Sequence, residues 1–352
     1  MKLDPLYFSP MYHSLFPFHN LTNFELSSLL ERPNHRIEKI LNENNFGKYI
    51  HDALESGMDK DFKCNYFTEE SLGELLKKIS PSLSVINLNI RSLDKHFSDL
   101  LTLLYNLDFP IDIVTLTEIG KKNVSNRINM LSDKYYCEHI PPKTKKCGGA
   151  CIFISKNIKY CMRNDLSILS DDVEDVWLEA KVNDQKVIIG SIYRHPGTRL
   201  DVFQNHLELT LQKIDNEHCQ SYICGDFNAD GLKLDVNRQT TDFYNCLMTY
   251  NFIPAITLPT RITETSMTLI DNIFIKINKE NITDKIWAGN IYSDISDHLP
   301  NFIAVQNHRS IPTNSPRKKV RLFGDRNIEK FNLFSRAVSW YRSMILNCNK
   351  IW

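Results

Sequence analysis

The sequence predicts an α/β layered domain with mixed sheets. Three observations carry that prediction. Apolar, β-branched runs alternate with helical periodicity from Ser84 onward, hairpin signals separate several of the runs, and short polar clusters sit just beyond their ends. At 352 residues the chain has room for one main domain of about 200 to 250 residues with appendages. Hydrophobic residues at 42% and charged ones at 24% exclude a wholly disordered, collagenous or coiled-coil chain.

Residues 1–82 read as an accessory region with short amphipathic segments, one from Leu21 to Glu31 and one from Thr68 to Ile79. In the second, Thr68 can cap the helix, Glu69 and Glu70 suit its positive start, and Leu72, Leu75, Leu76 and Ile79 share one face, as for a helix docked on the main domain.

The main domain is expected over residues 83–306. SVINLNI reads as a strand, Phe97, Leu100, Leu101 and Leu104 give helical spacing, and IDIVTLTEI reads as a buried strand. GGACIFI is a further strand, and VWLEAKV with KVIIGSIY makes a hairpin around Asn183 and Asp184, which tolerate a left-handed backbone. Leu200, Phe203, Leu207, Leu211 and Ile214 then define a helix leading to the strand SYIC and an expected tight turn at Gly225-Asp226. A helical patch around Phe243, Leu247 and Tyr250, the strand LIDNIFIKI and the segment SDISDHLPNFIAV complete the domain. Residues 307–352 read as a basic linker, with Arg309, Arg317, Lys318, Lys319 and Arg321 before the next acid, followed by a helical tail.

Lysine plus arginine (42) balances aspartate plus glutamate (42), which argues against a uniformly basic nucleic-acid coat but leaves a local basic patch open. Nine cysteines in a chain with no secretory signal imply reduced thiols. The pairs Cys147/Cys151 and Cys219/Cys224 lack zinc-site spacing. No stretch approaches the roughly 20 apolar residues of a membrane span, so a soluble protein of the cytoplasm or nucleus, without a membrane partner, is expected.

Five polar clusters stand at predicted strand ends: Asn89 in NLNIRS, Glu118 in TLTEIG, Asp226 and Asn228 in CGDFNAD, Asp271 in LIDNIF, and Asp297 with His298 in SDISDHLP. Carboxylates beside buried strands need a partner or a metal, so these residues are expected to converge. The oxygen ligands Glu118, Asp297 and the amide of Asn89 suit Mg²⁺, with Mn²⁺ as a substitute. Phosphodiester hydrolysis needs a cation, a base for water, donors to the phosphoryl oxygens and help for the leaving oxygen. Asp226 can activate the water, Asn228 can donate to the phosphate, and His298 can donate if Asp271 holds its ring. Tyr193, in IIGSIYRHP, can place its hydroxyl by the phosphate or the leaving group, with Arg194 beside it as a phosphate or DNA contact.

Taken in order, Asn89, Glu118, Tyr193, Gly225-Asp226-Phe227-Asn228, Asp271 and Ser296-Asp297-His298 resemble the endonuclease/exonuclease/phosphatase superfamily. The strings LNIRSL, DIVTLTE, GGACIFI, IYRHP, GDFNAD, PTRIT, TLIDNIF and SDHLP are similar to the apurinic-like endonuclease of non-LTR (LINE-like, jockey/CR-type) retrotransposons. The resemblance implies a DNase-like four-layer α/β sandwich, two mixed β-sheets flanked by helices, with one Mg²⁺ near Glu118. It also implies a nick in DNA leaving a 3′-hydroxyl for target-primed reverse transcription. By that resemblance Asn89, Glu118 and Asp297 lie at the metal, Asp271 pairs with His298, and Thr268 offers a phosphate-contacting hydroxyl. Ile119-Gly120 stands where many relatives carry a bulky aromatic or a histidine. The sequence stops before any reverse transcriptase, as expected for a truncated element copy, so element RNA or a reverse transcriptase would be a partner encoded elsewhere. The same core residues also suit a phosphatase acting on small or lipid phosphates, and a catalytically silent nucleic-acid-binding adaptor is a third reading. Oligomeric state carries no signal.

Overall fold

The computed structural model describes residues 64–143, 147–168, 170–234, 236–262, 266–276 and 285–306. The chain enters with strand β1 (Cys64–Phe67) and helix α1 (Glu69–Ile79), then runs through β2 (Leu83–Asn89), α2 (Leu93–Asn106), β3 (Ile113–Thr117) and α3 (Val124–Met130). Next come β4 (Tyr135–Ile140), β5 (Ala150–Ser155), β6 (Lys159–Met162), and the hairpin of β7 (Val173–Val182) and β8 (Gln185–Arg194). Helix α4 (Leu200–Asn216), β9 (Gln220–Asp226), α5 (Arg238–Thr249) and β10 (Phe252–Pro254) follow. The last elements are β11 (Arg261–Ile262), β12 (Met267–Thr268), β13 (Asp271–Lys276), β14 (Lys285–Ile291) and β15 (Asn301–Gln306).

Two large sheets result, one ordered β1-β14-β15-β2-β3-β5-β4 and the other β10-β13-β9-β8-β7-β6, with β11 and β12 forming a small ribbon. Both are mixed: β2 and β3 run parallel, as do β8 and β9, among antiparallel neighbours. The two-residue period of a strand explains the layering. Val85, Ile113, Ile152 and Ile154 face Leu178, Ile189, Tyr222 and Ile273 between the sheets. Their neighbours Ile86, Leu88, Val114 and Leu116 point the other way, onto Leu72 and Leu76 of α1 and Phe97 and Leu100 of α2. On the far sheet Trp177, Ile188, Ile223 and Phe274 meet Phe203, Leu207 and Leu211 of α4 and Phe243 and Leu247 of α5. Each such side chain, fully buried, stabilises by about 1.5 to 3 kcal/mol before entropy is counted. Helices, sheet, sheet and helices make the four-layer, DNase-like architecture.

Local chemistry fixes the element ends. Thr68 Oγ1 accepts from the Ser71 amide at 3.2 Å to start α1, and Lys77 and Lys78 close its last turn. Asn183 and Asp184 adopt φ of 49° and 65°, the doubly left-handed turn that matches the twist of a hairpin. One expectation fails: Gly225-Asp226 is not a turn, because β9 continues through both residues. Gly225 has φ 153°, and a Cβ there would stand 1.9 Å from the Ile192 carbonyl oxygen, so glycine is what lets β8 and β9 stay paired up to the site.

Strand β1, which no sequence pattern signals, pairs parallel to β14, and α1 packs with α2, so residues 64–79 are part of the first sheet and its helical layer. The expected helix from Leu21 to Glu31, the basic segment and the C-terminal tail lie outside the described residues. No helix among the described residues is long and apolar enough to cross a membrane.

Candidate active site

The polar residues expected at strand ends meet at one edge shared by the two sheets. Asn89 ends β2, Glu118 follows β3, Tyr193 is next to last in β8, Asp226 ends β9, Asp271 begins β13 and His298 precedes β15. Glu118, Tyr193, Asp226 and His298 line a cavity of about 330 Å³ together with Arg91, His195, Asn228 and Arg261, and the buried Asn89 and Asp271 are bonded to that lining from behind. Glu118 has φ 52°, a left-handed conformation that costs a non-glycine residue on the order of 1 kcal/mol or more. It turns the chain out of the sheet just where the carboxylate meets the cavity. Asn228 adopts the same region at φ 49°, its backbone N–H donating to Asp226 and its side-chain Nδ2 to the Arg194 carbonyl at 2.7 Å.

Hydrogen bonds join the group into two connected halves. Asn89 Nδ2 donates at 2.8 Å to both Glu118 Oε1 and Asp226 Oδ2. The Tyr193 hydroxyl donates to Glu118 Oε1 at 3.2 Å, and the Asn228 amide N–H donates to Asp226 Oδ1 at 2.9 Å. In the other half His298 Nδ1 lies 2.8 Å from Asp271 Oδ2. Asp271 stands directly across the β9–β13 ladder from Asp226, so one ligand atom each of Asp226, Asp271 and His298 fall within 4.8 Å of one another.

The electrostatics follow from that crowding. Burial, and then the Asp271 carboxylate opposite, push the Asp226 carboxyl well above the ordinary range, with His298 pulling it back. Burial pulls the His298 imidazole down, but Asp271, with Asp226 and Asp297 behind it, outweighs this and raises it to about 9. Burial, then Glu118 and Asp226, hold the Tyr193 phenol far above its usual value, so it stays an O–H donor. At neutral pH the site therefore offers a basic carboxylate, an imidazolium and a phenol O–H.

Three expected residues are placed differently. Arg194 is 4% exposed and gives its guanidinium to the carbonyls of Phe227, Asn228 and Thr198, so it clamps the β8 and β9 ends from within and does not reach the cavity. Its alternation with Tyr193 along β8 puts the two on opposite faces. Thr268 Oγ1 is buried with no hydrogen-bond partner among the described residues, and Thr268 is not part of the cavity lining. The hydroxyl that reaches Asp271 belongs to Thr260, whose Oγ1 donates to Oδ2 at 2.7 Å. Asp297, expected at the metal, has its carboxylate on two cations: it takes Arg91 Nε at 2.9 Å and Arg261 Nε at 2.7 Å, and Arg261, His298 and Arg91 keep its pKa low against the opposing effect of burial.

Several site residues went unremarked in the sequence. Thr260 sits in the quoted string PTRIT, but nothing there singles out its hydroxyl. It is held by a buried amide ladder: Asn87 donates to Asn301, Asn301 donates to Asn290, and Asn290 donates to the Pro259 carbonyl. Arg91 and Arg261 stand at the cavity, and His195 with Glu174 forms a second buried imidazole–carboxylate pair. Ser296 Oγ donates to the Asn89 carbonyl at 2.7 Å and accepts from the His298 amide, tying the Ser-Asp-His turn to β2.

The profile of the Endonuclease/Exonuclease/phosphatase family matches residues 86–298, more than half of the chain. The chain belongs to this family. No curated protein matches it. Among solved structures it is similar to the endonuclease domain of TRAS1, a telomere-specific non-LTR retrotransposon, at 11% identity and TM-score 0.49, over 64% of this chain and 100% of that one. It is also similar to a 3′-5′ exonuclease (NExo) from Neisseria meningitidis, at 15% identity and TM-score 0.49, over 64% and 100%. A third is D. rerio TDP2 complexed with single strand DNA product, at 13% identity and TM-score 0.48, over 64% and 99%.

The family is one of hydrolases acting on phosphoester bonds, and it implies a divalent metal. The donors fit a hard cation. Glu118 offers a carboxylate at the cavity whose hydrogen-bond partners among the described residues, Asn89 and Tyr193, are neutral, and Asp271 Oδ1 is a buried oxygen without a hydrogen-bond partner among the described residues. The cluster of Asp226, Asp271 and His298 holds an imidazolium between its two carboxyl groups, whereas Glu118 has no salt bridge among the described residues and the Arg91 guanidinium acts on it only through space.

Proposed function

We propose that this protein is a Mg²⁺-dependent DNA endonuclease, hydrolysing a phosphodiester bond to nick a target strand and leave a 3′-hydroxyl, as in target-primed retrotransposition. The observation that supports this most is the meeting of Glu118, Tyr193, Asp226 and His298 at one cavity, with Asn89 and Asp271 hydrogen-bonded to them and Arg91 and Arg261 in the same lining. The match of the strings around those residues to retroelement nucleases favours DNA over a small phosphate.

Glu118, joined by Asn89 with its amide reversed end for end, would hold Mg²⁺ or Mn²⁺. Bound there, the cation neutralises charge that develops on the phosphoryl oxygens. Asp226, made basic by burial and by Asp271, takes the proton of the attacking water as its oxygen bonds to phosphorus. His298, kept an imidazolium by Asp271, donates to a non-bridging oxygen, and Asn228 lines the same wall. As the P–O3′ bond breaks, the departing oxygen takes a proton, for which the Tyr193 O–H is the donor. Asp297 holds Arg91 and Arg261 ready for the flanking phosphates.

The test is a nicking assay on supercoiled plasmid with Mg²⁺, run beside an inositol phosphate and an abasic oligonucleotide, with chelator controls. Conversion to open circles carrying 3′-hydroxyl ends is expected, and it should cease when the metal is chelated. Turnover of the inositol phosphate alone would favour the phosphatase reading; DNA binding without nicks in Mg²⁺ or Mn²⁺ would favour the adaptor.

A further inference from the structure

Glu174 and His195 form an imidazole–carboxylate pair that the steps above do not use. Glu174 is fully buried and His195 is 2% exposed, with Nε2 lying 3.0 Å from both carboxylate oxygens. The Lys143 amide also donates to Glu174 Oε1, at 3.1 Å. Both hydrogen bonds end on Oε1, while Oε2 has no hydrogen-bond partner among the described residues, so the carboxylate is anchored at one oxygen and the imidazole is held against it. Gly148 leaves the space for that packing: a Cβ there would come 3.0 Å from His195 Cε1 and 3.1 Å from Glu174 Oε2.

The pair meets the site at Tyr193, and His195 itself also lines the cavity. Glu174 on β7 stands directly across the ladder from Tyr193 on β8, and His195 follows Tyr193 by two positions, so all three side chains share a face. The His195 ring meets the Tyr193 ring edge-on, with centroids 4.8 Å apart and planes at 75°. Tyr193 in turn gives its hydroxyl to Glu118. The contacts thus run Glu174, His195, Tyr193, Glu118, from the buried interior of the second sheet to the expected metal side of the cavity. Rotation of the His195 ring would remove the surface that limits Tyr193 to the one tilt at which its O–H reaches Glu118.

We infer that Glu174 and His195 are positioning residues that hold the Tyr193 ring, and so the proton donor of the proposed nuclease, in its working orientation. This rests on the nuclease reading for its consequence in rate, but the orientation of Tyr193 is measurable without turnover. In the full-length protein labelled with 3-fluorotyrosine, the ¹⁹F resonance lost in Tyr193→Phe identifies the ring. It should be single and sharp in the wild type and in Glu174→Gln, whose amide oxygen can still accept from His195 and the Lys143 amide. It should shift or broaden in His195→Ala and Glu174→Ala. An unmoved resonance in His195→Ala overturns the inference whether or not the protein nicks DNA, and if Glu174→Ala does not fold, His195→Ala decides alone. On plasmid with Mg²⁺, His195→Ala should lower kcat by about 10- to 100-fold with KM within about twofold. In a Tyr193→Phe background the same substitution should add less than about twofold. A raised KM at wild-type kcat would make His195 a phosphate contact, and an equal loss in both backgrounds would make it independent of Tyr193; either result overturns positioning. Absence of nicking by the wild type would count against the nuclease reading alone, leaving the resonance to judge this one.

Discussion

His298 Nδ1 lies 2.8 Å from Asp271 Oδ2, with the two side chains 2% and 1% exposed, so an imidazole and a carboxylate share a proton-bearing contact almost free of water. Low solvent access makes this contact strong and makes its loss costly. The charge state of the pair is thereby tied both to the stability of the fold and to the chemistry of the cavity.

Asp271→Asn should move the alkaline limb of nicking. The wild-type imidazole, raised to about 9, stays charged through neutral pH. Without the carboxylate, burial should take its pKa to the ordinary value or below, so activity at pH 8 should fall while activity near pH 6 falls less. A pH profile of kcat/KM from 5.5 to 9.5 reads this directly; an alkaline limb at the wild-type position would refute the charge role. His298→Ala should lower kcat by about 10² to 10⁴ at every pH.

The same pair predicts a pH dependence of stability. Because the folded value is raised above the unfolded one, the charged form stabilises the fold fully below about 6.5, and this is lost as pH rises through about 9. The difference corresponds to roughly 3 kcal/mol. Urea unfolding at pH 6 and at pH 9.5 should show that loss in the wild type and a smaller one in His298→Ala.

Asp175 should behave in the opposite sense to an ordinary paired carboxylate. Burial raises it to about 6, against hydrogen bonds from the Ile168 amide and the Trp177 indole. Its folded value exceeds the unfolded one, so the fold loses stability as pH rises from about 4 through 6, by at most about 3 kcal/mol. Asp175→Asn, whose carbonyl oxygen can accept both bonds, should flatten that slope; an unchanged slope in the variant would assign it elsewhere.

Arg91 and Arg261 should show themselves in salt dependence. Both are about 40% exposed beside the cavity, at 40% and 37% for their side chains. If each meets a phosphate, alanine at either position should weaken DNA binding across sequences and reduce the slope of log affinity against log salt by about one. An unaltered slope would mean that they serve only Asp297.

Gly225→Ala should be among the most damaging single changes. The added methyl would press on the Ile192 carbonyl oxygen at 1.9 Å, in a backbone conformation that L residues rarely adopt. A loss of about 3 kcal/mol or more is expected by chemical denaturation, since neither backbone can move without breaking the β8–β9 ladder. A variant as stable as the wild type would show that the strands separate there at little cost.

Much of this architecture was legible in the sequence, and what was not has identifiable causes. Asn89, Glu118, Asp226 and His298 could be found because a polar residue beside a wholly apolar strand stands out, as in SVINLN and SYICGD. Direction is what adjacency hides. Arg194 is one residue from Tyr193 and therefore on the other face of β8, and Asp297 is one residue from His298 yet faces two arginines. The Thr260 amide donates to the Thr268 carbonyl beside the small ribbon, and it is the Thr260 hydroxyl that reaches Asp271, a direction the string alone does not show. Strands β4 and β14, YYCEHI and KIWAGNI, escaped notice because half-polar segments at or next to the sheet edge lack both the alternation and the apolar density of central strands.

The four residues of β1 give the first sheet a protective hem. Residues Cys64–Phe67 take up, in register with Ala288 to Ile291, the backbone groups of β14 that would otherwise face outward. A protein trimmed to begin at Leu83 would keep every residue of the cavity but bare that seam, with its row of unsatisfied amides and carbonyls ready to zip onto another copy. Poor solubility in such a shortened protein would then say nothing about its chemistry, only that its selvedge had been cut away.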